Sequence, residues 1–70
     1  MKISARNVIK GKITGTVEGP VSTEVTLKIA PGIDIVAVIS TSSAKSLKLK
    51  TGKKAFAVIK ASSVMVATAD

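Results

Sequence analysis

The chain has no cysteine and no histidine. Disulfides, thiolate metal sites, histidine general bases and Ser-His-Asp triads are therefore excluded. Acidic residues are scarce. Glu18, Glu24, Asp34 and Asp70 are the only carboxylates, and they are scattered along the 70 residues. Such spacing gives little support to a carboxylate pair for proton transfer or to an oxygen cage for a hard cation. The composition argues against an enzyme and against direct ligation of a metal ion. Tryptophan and tyrosine are absent as well, and Phe56 is the one aromatic residue. Single-strand nucleic-acid binders use aromatic side chains as stacking platforms, so a basic module for single-stranded nucleic acid is only the second reading of the charge.

Long apolar runs are missing too. No stretch approaches the roughly 20 apolar residues of a membrane span. Met1-Lys2-Ile3-Ser4 turns polar at once, without the apolar stretch of a secretory signal. The expected location is the cytoplasm.

What is present is aliphatic and basic. Hydrophobic residues make up 46% of the chain, mean hydropathy is +0.44, and net charge is +7. A domain this short buries only about 60% of its unfolded surface and is marginal alone. With no staple and few large side chains, subunits are expected to share a core. The charge asks for an anionic partner. Neither a long basic helix for duplex nucleic acid nor a basic amphipathic helix for a membrane surface is visible. A small anion is left.

Valine and isoleucine alternate with period two. Val21, Val25, Leu27 and Ile29 share one face of a strand that Pro31-Gly32 ends with a turn. Ile33 to Ile39 is apolar on both faces, which suits a central strand or a subunit interface. Ile3 to Val17 reads as one long strand or two short ones, with bends at Gly11 and Gly15. Ser42 to Leu47 reads as one helical turn capped by Ser42 or Ser43. Ala55 to Lys60 and Val64 to Ala67 are further strands. The whole of 1–70 is expected to form one all-β domain, a small five-stranded Greek-key barrel of the OB type with one short helical turn. An SH3-like barrel is the alternative.

Three polar clusters stand out. Ser4-Ala5-Arg6-Asn7 packs a hydroxyl, the only arginine and a carboxamide into four residues. Alternatively it is a polar strand start. Ser40-Thr41-Ser42-Ser43 lies where a helical turn leaves backbone N–H groups unpaired, although simple capping explains such serines as well. Lys60-Ala61-Ser62-Ser63 puts a lysine before small residues that leave the backbone open, although a lysine at a strand end also discourages edge pairing. Lys10, Lys12, Lys45, Lys48, Lys50, Lys53 and Lys54 read as solvated surface charges.

These residues, taken in order, resemble the molbindins, the Mop-like molybdate-binding proteins. The resemblance runs through Met-Lys-Ile-Ser-Ala-Arg-Asn, Lys10-Gly11-Lys12, Val21-Ser22-Thr23-Glu24-Val25 and Ile39-Ser40. It ends with Ala57-Val58-Ile59-Lys60-Ala61-Ser62-Ser63-Val64-Met65. Pro31 and Ala67 to Asp70 look peculiar to this chain. The resemblance implies an OB-like barrel whose subunits exchange the N-terminal strand in dimers. Those dimers would build hexamers that hold oxyanions between subunits. It implies molybdate-binding roles for Ser4, Arg6 and Asn7, for Lys60, Ala61 and Ser62, and for serines among Ser40, Ser42 and Ser43. The implied ligand is molybdate or tungstate, for intracellular storage or homeostasis of molybdenum.

The three clusters suit that ligand. Molybdate is a fully deprotonated tetrahedral dianion at neutral pH, so its pocket needs donors only. Hydroxyls, a guanidinium, an ammonium and backbone N–H groups are donors. Phosphate keeps a proton and wants an acceptor such as a carboxylate, and none of the clusters contains a carboxylate.

Overall fold

A computed structural model describes residues 2–69 of the chain. Four strands and one short helix follow in the order β1 (Asn7–Glu18), β2 (Ser22–Ala30), β3 (Ile33–Ser40), α1 (Thr41–Ser46) and β4 (Lys54–Ile59), with a 3₁₀ turn at Ala61–Ser63. The strands form one antiparallel sheet ordered β3-β2-β1-β4. The fold is all-β and OB-like, as expected.

Each element has a local cause. In the β2–β3 hairpin Ala30 pairs with Ile33. Pro31 and Gly32 are the two loop residues between them, and Gly32 has φ 75°. A positive-φ glycine second is what a type II turn requires, and proline first is common there. The β1–β2 register shifts between Ile13 and Gly15, leaving Thr14 as the extra residue of a bulge. Bulges bend a strand, and here the bend curls the sheet. It lets Ile13 bond the segment before β4, with Ile13 N–H to the Lys53 carbonyl at 2.9 Å and Gly52 N–H to the Ile13 carbonyl at 2.8 Å.

The core is thin. Ile13, Val25, Leu27 and Ala57 form its buried centre, with Ile9, Ile35, Ile39, Leu49 and Ala55 packed around them. Full burial of one of the larger aliphatic side chains contributes about 1.5–3 kcal/mol, and only Ile13, Val25 and Leu27 are of that size, so the reserve is small. A cavity of about 450 Å³ opens between the two sheet edges. Ile35, Ala37 and Ile39 of β3 line one side, Ala55, Ala57 and Ile59 of β4 the other.

Four details differ from expectation. Val64–Ala67 is not a strand within this chain, and Ile3–Arg6 precedes rather than begins β1. Strand hydrogen bonds belong to the neighbour, which alternation within one segment cannot name. Val64, Met65 and Val66 stand exposed instead. Second, of the two places expected for the two-faced strand β3 the central one does not hold: β3 is an edge, with Val36 and Val38 exposed. Third, the helix begins at Thr41 and its N-cap is Ser40, whose Oγ accepts from the Ser43 N–H at 3.1 Å. Ser42 and Ser43 lie inside the helix. Fourth, Lys53 is no free surface charge. Its Nζ donates to the Leu47 carbonyl at 2.6 Å and the Lys48 carbonyl at 3.4 Å, at the end of α1.

Candidate functional site

Residues from both ends of the sequence meet at one end of the sheet. β1 and β4 pair antiparallel from Asn7↔Ile59 onward. Arg6 immediately precedes that rung and Lys60 immediately follows it, so the pairing itself brings the two cations together. The Asn7 Nδ2 donates to the Ile59 carbonyl at 3.2 Å and ties the rung.

A cavity of about 560 Å³ lies there. Ser4, Arg6, Lys60, Ala61 and Ser62 line it, with Ile3, Ala5 and Val58 as apolar walls. The backbone after Lys60 adds donors. Lys60 is the N-cap residue of the 3₁₀ turn, without a side-chain capping bond. The turn uses the N–H groups of Ser63, to the Lys60 carbonyl at 2.8 Å, and of Val64, to the Ala61 carbonyl at 3.2 Å. Those of Ala61 and Ser62 are left unused by it, as the first donors of any helical turn are. The pocket is thus a guanidinium, an ammonium, hydroxyls and N–H groups the turn does not use, with no carboxylate in its lining among the described residues. That set accepts a group made of acceptors and repels a cation. Among the described residues no three histidines, cysteines or carboxylates gather into a group that could hold a metal ion.

The structure places five of the nine expected site residues in this pocket. Asn7 sits at its edge and spends a donor on Ile59. Ser40, Ser42 and Ser43 are elsewhere. Ser40 pairs with Ser22 at the far end of the sheet, near where β1 ends. β1 runs 12 residues at about 3.3 Å each, so within one chain the two ends of the sheet do not share a ligand. The serines also bond each other. Ser40 Oγ donates to Ser43 Oγ at 2.7 Å and lies 3.3 Å from Ser42 Oγ. Within one chain this is the geometry of a helix cap.

Two groups escaped the sequence reading. Thr23 and Thr41 share a buried hydrogen bond of 2.8 Å, and Thr41 Oγ1 donates to the Gly19 carbonyl at 2.6 Å. The signal was present: Thr23 falls on the inward parity of β2, between Val21 and Val25. The pocket walls Ile3, Ala5 and Val58 had no signal, since each reads alone as ordinary strand.

Comparisons with known proteins show the family. The TOBE domain family model matches residues 3–66. The chain is 46% identical over 66 residues to molybdenum-pterin-binding protein 1 of Clostridium pasteurianum, covering 94% of this chain and 97% of that protein. It is 47% identical over 68 residues to the molybdenum transport protein ModE of Herbaspirillum seropedicae. There it spans 97% of this chain but only 25% of the longer protein. Among solved structures, a molybdate binding protein from Sporomusa ovata superimposes with a TM-score of 0.90 at 32% identity, covering 97% of this chain and all of that one. The cytoplasmic molybdate-binding protein ModG, solved with molybdate bound, gives 0.82 at 48% identity over 87% of this chain and 43% of its own. No helix among the described residues is long and apolar enough to cross a membrane. The chain belongs to the TOBE domain family, among the Mop-like molybdenum-pterin-binding proteins.

Proposed function

We propose that this protein binds molybdate, and tungstate equally well, and releases it unchanged as an intracellular store or buffer in the cytoplasm. One observation carries the reading: the donors of Ser4, Arg6, Lys60, Ala61 and Ser62 converge on one cavity that, among the described residues, has no carboxylate in its lining. The names of its relatives support molybdenum as the cargo. A pterin ring presents donors as well as acceptors and a flat face to stack. This pocket offers neither a carboxylate nor an aromatic side chain, so the oxyanion is the better fit. Sulfate has the same acceptor-only chemistry and is separated from molybdate by its shorter bonds, which leave donors out of reach.

The assembly is a homo-oligomer, a hexamer of strand-exchanged dimers. The slot between β3 and β4 and the thin core support this, because an end of a second chain would fill the slot and close the barrel. Between copies, Ser40, Ser42 and Ser43 of one subunit can approach the pocket of another, which is the way left for them to act on the anion.

Isothermal titration calorimetry with molybdate, tungstate and sulfate at equal ionic strength tests the reading. Molybdate and tungstate are expected to bind alike and sulfate far more weakly. Equal heats from all three would reduce the pocket to general charge attraction and overturn it.

A further inference from the structure

The register places three lysines side by side. Lys12 of β1 has Lys54 of β4 as its partner on one side and Lys28 of β2 on the other. All three are exposed. Opposed Cβ atoms in such pairs lie about 4.5–5.5 Å apart, and like charges directly opposite destabilise a sheet. Asp34, opposite Lys28, is the single acid in the row. Lys10 shares the face of Lys12 and faces Phe56 across the β1–β4 ladder. The same face carries Phe56 at 52% exposure, Val58 at 42% and Val8 at 36%, and Phe56 and Val58 also border the slot between β3 and β4. The fold gains nothing from this arrangement: repelling charges sit together, and the only aromatic ring of the chain points to water.

We propose that this outer sheet face, the Lys54–Lys12–Lys28 row with Phe56 and Val58 beside it, docks an acidic surface of a partner protein. Each alternative fits worse. A small free anion needs enclosure, and none of the cavities described at this surface is lined by Lys10, Lys12, Lys28 or Lys54. A second copy meeting this face about a two-fold axis would set one lysine row against another. Nucleic acid asks for several stacking rings, and there is one. An apolar patch bordered by charge suits a protein interface, where aromatic side chains are enriched. Val58 also borders the oxyanion pocket, so a protein docked here sits beside it. The docking itself does not depend on the oxyanion reading.

The test contains no molybdate. The protein is titrated with a glutamate-rich copolymer of glutamate and tyrosine, with polyglutamate, and with a single-stranded oligonucleotide of matched charge. The triple variant K12Q/K28Q/K54Q is compared with K45Q/K48Q/K50Q, which loses the same charge elsewhere. The row variant is expected to bind the copolymer roughly tenfold more weakly, while the control stays near wild type. F56S is expected to abolish the preference for the copolymer over polyglutamate. Because the row variant removes repulsion, it should melt at or above the wild-type temperature, which separates lost docking from lost folding. Equal losses in both triple variants would overturn the proposal, as would tighter binding of the oligonucleotide than of the copolymer through the same three lysines.

Discussion

Asn7 and Ile59 are cross-strand partners, and the Asn7 carboxamide donates to the Ile59 carbonyl at 3.2 Å. This one rung joins the strand that follows Arg6 to the strand that precedes Lys60. The pocket is therefore a product of strand pairing, and its two cations come from opposite ends of the sequence.

The contributions of those cations can be separated. Lys60→Ala and Arg6→Ala each remove a charge-assisted donor of about 1.5–3 kcal/mol, or roughly ten- to a hundredfold in molybdate affinity. Lys50→Ala is the control for net charge, since Lys53 is engaged at the helix end. Asn7→Ala is expected to cost about 0.5–1.5 kcal/mol of stability and less affinity than either cation. Calorimetry and thermal melts on the four variants check this. A loss at Asn7 equal to that at Lys60 would make Asn7 a direct ligand rather than a clamp.

The end of α1 carries a conformational cost. Leu49 N–H bonds the Ala44 carbonyl and Lys48 N–H the Lys45 carbonyl, both at 3.0 Å. This Schellman pattern needs a left-handed residue between, and Lys48 takes it at φ 54°. Lys48→Gly is expected to stabilise by about 0.5–1 kcal/mol, because a side chain there costs about 1–2 kcal/mol and glycine returns part of that in chain entropy. Lys53→Met is expected to lose about 0.3–1 kcal/mol, as a cation at a helix C-terminus does. Chemical denaturation measures both, with molybdate affinity unchanged in each.

The Thr23–Thr41–Gly19 network anchors the β3–α1 corner. Thr41→Val leaves the buried Thr23 hydroxyl and the Gly19 carbonyl without this partner, at about 1–3 kcal/mol. Thr23→Val/Thr41→Val removes both hydroxyls and is expected to cost less than the sum of the single changes. Gly19→Ala should be worse than either, because its Cβ would lie 2.6 Å from the Ser22 backbone oxygen. Denaturant midpoints of the set give the ranking. A double mutant as costly as the summed singles would show the hydroxyls to be independent.

Closure of the barrel by a second copy predicts an oligomer. Sedimentation at micromolar concentration should show a species several times 7.1 kDa. Val64→Asp/Val66→Asp and Ile3→Asp place charges on the two unpaired chain ends. The end that fills the slot is the one whose variant dissociates the assembly. A folded wild-type monomer under these conditions would defeat the shared-barrel model.

Alternation was enough to locate β2, β3 and β4 within a residue or two, because a half-buried strand must repeat every second residue. Composition was enough to exclude thiol and imidazole chemistry, because an absent side chain does no chemistry in any fold. The three donor clusters were legible for the same reason: their residue types suit an acceptor-only anion wherever they lie. What alternation could not supply was pairing. Which strand lies beside which decided that β3 is an edge and that Val64–Ala67 has no strand partner among the described residues. It set Lys12 between Lys28 and Lys54. It also joined Ser4 and Arg6 to Lys60 while leaving Ser40, Ser42 and Ser43 at the other end of the sheet. Those relations are set by hydrogen bonds between residues far apart in sequence, so only the tertiary structure decides them.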